Sequence, residues 1–219
     1  MLTAASVAGA ASNGGFGYGE TGLPATDGSQ LNAPVGQIVG RPVTFTGRLS
    51  GVREGDPIEI QRGDGAGNWT TLITAIVAAD GRFTATWTPT TVARLELRAT
   101  PATATVRAAS TIPTRRFSVY SPRRATWFGP GFYGNRTHCG QRMTRRLLGV
   151  AHKTLRCGTL VEVFYRGRSL TVPVVDRGPF RKHTTYDLTS ALAKRLKFRN
   201  ASAIGAYVDP ADLRSAAKR

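Results

Sequence analysis

The sequence predicts a mainly β protein in two parts, a sandwich of short strands followed by a small closed β-barrel with one short helix. Three observations carry this. Period-two alternation recurs from Pro34 to Tyr120 in segments of about four to eight residues, broken by turns rich in Gly, Asp and Pro. Five further short apolar segments and a single helical repeat follow between Ala125 and Val208. Charge divides at the same place, with ten Lys and Arg against eight Asp and Glu up to Tyr120, then 20 against five from Ser121 to Arg219.

The 219 residues, 41% hydrophobic with 25 Gly, 12 Pro and two Cys, suffice for a core without metals or dense disulfides. No apolar stretch approaches the roughly 20 residues that span a bilayer, so no transmembrane segment is expected. The formal net charge of +17 points to polyanionic surroundings: nucleic acid, an anionic membrane face or a charged cell wall. Residues 1–33 read as a non-folding terminus. Leu2 to Ser12 is a small apolar run in which Ala8-Gly9-Ala10 matches a cleavage site, yet it lacks a basic n-region. It is either a truncated signal or a flexible alanine-rich end.

Within 34–120 the expected strands are Val43 to Leu49, Pro57 to Arg62, Trp69 to Val77, Arg82 to Thr88, Ala93 to Thr100 and Arg115 to Tyr120. The intervening turns supply residues that tolerate positive φ. Trp69 and Trp87 could stack on a sugar, but alternation favours core or half-buried sheet positions. The strand layout and the Ala79-to-Trp87 hairpin resemble the immunoglobulin-like modules attached to bacterial surface proteins. Ser121 to Arg124 reads as a linker, because Pro122 disfavours continuing the preceding strand.

The second part, 125–208, has expected strands Ala125 to Phe128, Gly149 to His152, Thr159 to Tyr165, Ser169 to Val175 and Ala203 to Val208. Leu188, Leu192 and Leu196 repeat at helical spacing, with Lys194, Arg195 and Lys197 at the C-terminal end, where cations complement the helix dipole. Residues 209–219 read as a basic tail. Short β segments with one helix fit a small closed barrel.

Acidic residues are scarce here, so each can be weighed. Asp209 and Asp212 flank Pro210 in the tail, and Glu162 reads as an outward carboxylate on a strand. Asp176 ends an apolar strand and opens the turn Asp176-Arg177-Gly178-Pro179, where it either bonds local amides or faces a ligand. Asp187 precedes the helix and suits an N-cap. His152 closes a strand and could serve as a proton partner to the two carboxylates. Cys139 and Cys157 would form one disulfide in an exported chain, worth about 3 kcal/mol on the chain-entropy model. Their spacing, and the scatter of His138, His152 and His183, match no zinc pattern. A nucleophilic cysteine paired with His152 has no supporting local signature.

Several blocks in one order closely resemble the double-psi β-barrel domain of the rare lipoprotein A (RlpA) family. They are Ala125 to Gly129, Phe132 to Gly140, Gly149 to Leu155, Cys157 to Thr159, Val174 to Phe180, and Asp187 to Thr189. The resemblance implies a six-stranded barrel related to expansins that acts on peptidoglycan glycan strands, in several members as a lytic transglycosylase. No cofactor is expected. The resemblance places Asp176 and His152 in the active groove, adds Asp187 as a third candidate, and puts Thr126 and Phe128 along the glycan groove; Gln141 and Arg177 are further glycan-binding candidates. Many members carry Glu where this chain has Gln141, and an amide cannot exchange a proton as a carboxyl does. An intramolecular sugar hydroxyl as nucleophile would let one carboxyl act first as base and then as acid.

The leading expectation is a secreted or wall-associated protein that binds anionic wall polymer and cleaves glycan. One alternative is an expansin-like glycan binder that loosens the wall without cleaving it. Another is a non-specific polyanion or nucleic-acid binder, suggested by charge alone; no stacking motif points to a specific nucleic acid.

Overall fold

A computed structural model describes residues 28–103 and 114–217. In chain order the strands are β1 (Gln30–Asn32), β2 (Gly36–Ile38), β3 (Val43–Arg48), β4 (Pro57–Gly63), β5 (Trp69–Ile76), β6 (Arg82–Trp87), β7 (Ala93–Pro101), β8 (Thr114–Phe128), β9 (Val150–His152), β10 (Leu160–Tyr165), β11 (Arg168–Asp176), β12 (Tyr186–Thr189) and β13 (Ser202–Val208). Two helices complete the set where one is expected, α1 (Ser190–Leu196) and α2 (Pro210–Ala217), the latter within the segment read as a basic tail. The expected cleavage-site segment Leu2 to Ser12 lies outside the described residues.

In the first half, alternation does what the pattern requires. Along β3 Val43 and Phe45 turn inward while Thr44 and Thr46 turn out. β1, β3 and β6 form one antiparallel sheet; β5, β4 and β7 run in order onto the start of β8, whose other edge takes β2 in parallel. Side chains from both sheets, among them Leu31, Phe45 and Phe83 facing Ile58, Leu97 and Phe117, make one buried cluster. Phe45 meets Phe117 edge-on at 5.5 Å and Trp87 at 6.3 Å. Trp87 therefore belongs to the core edge, while Trp69 is half-buried beneath the Arg98 guanidinium at 4.2 Å.

The second half closes on itself. Its strands pair as β8-β13-β10-β11-β9-β12, and β12 pairs back onto β8, giving a six-stranded barrel without a free edge. The β11–β9 and β12–β8 pairs are parallel and the others antiparallel. Val150, Val161, Val163, Val174, Leu188 and Leu192 fill the interior.

Four expectations need correction. Ser121 to Arg124 is not a linker: β8 runs unbroken from the sandwich into the barrel. Pro122 is tolerated because, between the last β7 pair at Val119 and the first β12 pair at Ala125, it has a partner on one side only, Gly205 of β13. The segment assigned to a non-folding terminus contains β1, whose three residues are too few for alternation to declare them. Asp187 is not the helix cap: it lies within β12, and Thr189 caps α1 by accepting from the Leu192 amide. Glu162 does leave the barrel interior, but not onto an open surface, since its side chain is only 12% exposed.

Glu162 sits where the halves meet. Arg94 Nε and Nη2 each donate to Oε2 at 3.0 Å, and Tyr120 Oη donates to Oε1 at 2.7 Å. Ser118 Oγ lies 3.3 Å from both oxygens. Arg94 also lies over the Tyr207 ring at 4.5 Å. Gly205 is obligatory here, because a Cβ on it would stand 2.6 Å from Tyr120 Cβ, within the Tyr120–Phe164 ring stack. Burial and the Glu162 charge push the Tyr120 phenol far above its ordinary pKa, so it stays a donor.

Candidate active site

One open groove of about 730 Å³ crosses the barrel rim, and both candidate aspartates line it. Register explains why. Asp176 of β11 is opposite Ala151 of β9, Ala151 opposite Asp187 of β12, and Asp187 opposite Thr126 of β8. Four adjacent strands thus present one row, Asp176, Ala151, Asp187, Thr126, toward the groove. Two strand spacings separate the aspartate main chains, about 10 Å. The short Ala151 side chain leaves the space between them open. A register shift between Val174 and Asp176 sets this up: Val174 and Val175 are both buried, and the extra residue re-aims Asp176 outward.

The two carboxyls sit in different surroundings. Asp176 Oδ1 accepts the backbone amides of His138 and Arg177, each at 2.8 Å. Asp187 Oδ1 accepts from Thr126 Oγ1 at 2.7 Å. Burial raises the Asp187 pKa and the nearby Asp176 charge adds to this, opposed by the Thr126 hydrogen bond and by Arg181.

Thr126, Phe128 and Arg177 also line the groove. Thr126 reaches it by holding Asp187, and Arg177 is braced by Nη1 on the Leu155 carbonyl at 2.8 Å. Gln141 and His152 are not among the lining residues. Gln141 is exposed on the neighbouring loop, its Oε1 accepting from Thr137 Oγ1 at 3.1 Å. His152 packs against the Tyr186 ring at 4.9 Å, and its Nδ1 accepts the Thr154 and Leu155 amides at 3.2 and 3.0 Å. Burial, then Arg177, Arg123 and Lys153, lower its pKa to about 4, so the ring is neutral and one nitrogen is already committed. Cys139 and Cys157 form the disulfide.

Sequence reasoning missed the aromatic rim. Trp127, Phe132 and Phe180 are 43%, 54% and 86% exposed, and all three line the groove. Phe132 meets Phe128 edge-on at 5.9 Å. The signal was available, since Phe132 and Phe180 lie in the Gly- and Pro-rich runs Gly129 to Gly134 and Gly178 to Phe180, outside any alternating strand. Gly129 is required there, as a Cβ would meet Ser190 Cβ at 2.7 Å and Tyr133 Oη at 2.8 Å. Among the described residues no group of three His, Cys, Asp or Glu side chains is placed to hold a metal ion.

The closed six-stranded barrel thus carries a carboxylate-lined groove at its rim. The barrel half, over residues 122–206, matches the family model described as lytic transglycolase. Over 74 residues it is 39% identical to the endolytic peptidoglycan transglycosylase RlpA of Campylobacter jejuni, covering 33% of this chain and 27% of that protein. The RlpA proteins of Rickettsia felis and Neisseria meningitidis serogroup B carry the same description. They are 41% identical over 81 residues and 38% over 78, each match covering 35% of this chain and, respectively, 36% and 33% of the relative. The matches therefore span about a third of the relatives' length. Among solved structures, a teleost fish polymeric Ig receptor ectodomain aligns over 74% of this chain and 96% of its own at 9% identity and TM-score 0.36, too distant to inform the fold.

Proposed function

We propose that the groove binds peptidoglycan glycan strands and cleaves them by lytic transglycosylation. The observation that carries this is a pair of carboxyls, Asp176 and Asp187, held in unlike environments across one open groove rimmed by exposed aromatics. Sugar rings offer apolar C–H faces that stack on such aromatics. Carboxyls held in unlike surroundings can divide the acid and base roles.

In this reading Asp187, whose pKa burial raises, donates a proton to the glycosidic oxygen as the C1–O bond breaks. Asp176 takes the proton from the sugar's own hydroxyl as that oxygen bonds to C1, leaving an anhydro end. The departing sugar carries the Asp187 proton, and Asp176 returns its own to restore the pair. Thr126 orients Asp187, and Arg177 shapes the groove beside Asp176. His152, neutral and bonded to backbone, serves the groove by fixing the turn after β9 rather than by moving a proton.

The relatives' peptidoglycan activity, with the barrel's excess of basic residues, supports a cell-envelope location and anionic wall polymer as partner. The sandwich reads as an immunoglobulin-like module that carries the barrel. Gln141 favours a second reading, binding without cleavage. Mass spectrometry of sacculi treated with wild type and Asp176→Asn separates the two. Cleavage predicts anhydro-ended products from wild type and a loss of at least about 100-fold in the variant; equal product from both removes Asp176 from the mechanism, and none from either leaves binding alone.

A further inference from the structure

The groove's main carboxylate is oriented by an amide from a distant loop, and that loop has little secondary structure of its own. Residues 129–149 contain no strand or helix, only turns and the isolated bridges Gly129–Gly131 and Arg136–Arg142. Yet the His138 amide lands 2.8 Å from Asp176 Oδ1, across 38 positions of sequence. The next residue, Cys139, is bonded to Cys157 with a Cα–Cα distance of 5.6 Å. Cys157 is itself anchored to the wall that carries Asp176: the following amide, Gly158, donates to the Val174 carbonyl at 2.8 Å. The noncovalent tie at the same point is long, Cys139 N to Val175 O at 3.4 Å. Cys157 is exposed.

We infer that the Cys139–Cys157 bond is a positioning element for Asp176, holding the His138 amide on Oδ1 so that Oδ2 is presented to the groove. This rests on the catalytic reading of that groove. Among the described residues no hydrogen-bond partner meets Oδ2, which is the oxygen left to exchange a proton. A dithiol reductant reverses the arrangement: two electrons and two protons pass to the cystine, giving two thiols, while the reductant closes to its own cyclic disulfide. The loop then keeps its internal turns but loses its covalent tie beside His138, and Asp176 loses a fixed donor. Small losses of orientation at a reacting group are costly to rate.

The test uses the full chain, oxidised, reduced with dithiothreitol, and as the C139S/C157S variant. Amide hydrogen exchange at His138 should accelerate at least about tenfold on reduction while β10 and β11 stay protected. Turnover of purified glycan strands should fall about tenfold in kcat with glycan affinity changed less than about twofold, and reoxidation should restore it. In Asp176→Ala, with the disulfide intact, the His138 amide should also exchange faster, which decides the hydrogen bond even if the cysteine variant does not fold. Unchanged exchange at His138 after reduction overturns the inference. So does released exchange with unchanged kcat, or loss of protection throughout the barrel. If the oxidised protein turns over no glycan, the catalytic reading falls, and the exchange measurements still decide where the disulfide holds His138.

Discussion

Both halves bury aromatic residues in their cores, but among the described residues only the barrel half also holds large aromatics out in solvent. In the sandwich Phe45, Phe83 and Phe117 are at most 2% exposed and meet in the space between two sheets. In the barrel Trp127, Phe132 and Phe180 stand in solvent, and the groove that they rim is the one holding both aspartates. An aromatic on an alternating strand is the ordinary means of building a core. The same side chain held out on a Gly- and Pro-rich loop keeps its apolar surface in water, a cost that makes sense where a ligand covers it.

That contrast can be broken most sharply at Phe45. Phe45→Ala should cost about 3–5 kcal/mol, since it removes a fully buried ring from a packed cluster. Thermal denaturation measures the loss, and at a temperature where the variant is folded its glycan affinity should match wild type. Phe180→Ala should do the reverse. With its ring 86% exposed, the melting temperature should hold within about a degree while glycan affinity, read by sedimentation with purified strands, falls about tenfold. A fall in stability without a change in affinity would move Phe180 from the rim to the fold.

The halves also differ in how far the sequence declared them. Sandwich strands announce themselves because Val43, Phe45, Ile58 and Ile60 alternate with polar neighbours over six or seven residues. β12 did not, because Leu188 is at helical spacing from Leu192, and only the closed sheet makes it a strand between β8 and β9. With that strand hidden, the row joining Asp187 to Asp176 through Ala151 was out of reach. Asp176 was legible from its place at the end of an apolar run. The continuity of β8 was not, since a proline forbids a strand only where its missing amide has a partner. Glu162 shows the same limit: alternation says that it leaves the barrel interior, and only tertiary structure says that a second domain waits there.

Glu162 gives the next smaller effect. Glu162→Gln keeps one acceptor for Tyr120 but removes the charge that Arg94 grips, in a site where the carboxylate is 12% exposed and the guanidinium 49%. A loss of about 1–2 kcal/mol is expected. Because β8 is shared, wild type should melt as one transition. The variant should begin to separate the two halves, which calorimetry would detect as a broadened or split peak. A single unbroadened transition at the wild-type temperature would mean that strand continuity alone couples them.

The smallest effect discriminates the halves by pH. All three histidines lie in the barrel half, so a titration near pH 5 that disappears with His152 belongs to the barrel. His152 has a folded pKa of about 4 against an ordinary 6.5. Between those values the unfolded chain binds more protons, so stability rises with pH across the window; the contribution is fully present above about 6.5 and lost by about 4. Allowing for solvent screening of a half-buried ring, it amounts to about 1–2 kcal/mol, or about 3–6 °C in melting temperature. His152→Gln retains an acceptor for the Thr154 and Leu155 amides but cannot be protonated, so the gap between wild type and variant should change across this window while carboxylate titrations common to both cancel. A gap that stays constant from pH 4 to 7 would mean that the imidazole is hydrated when charged, and that Arg177 and Arg123 do not bear on it.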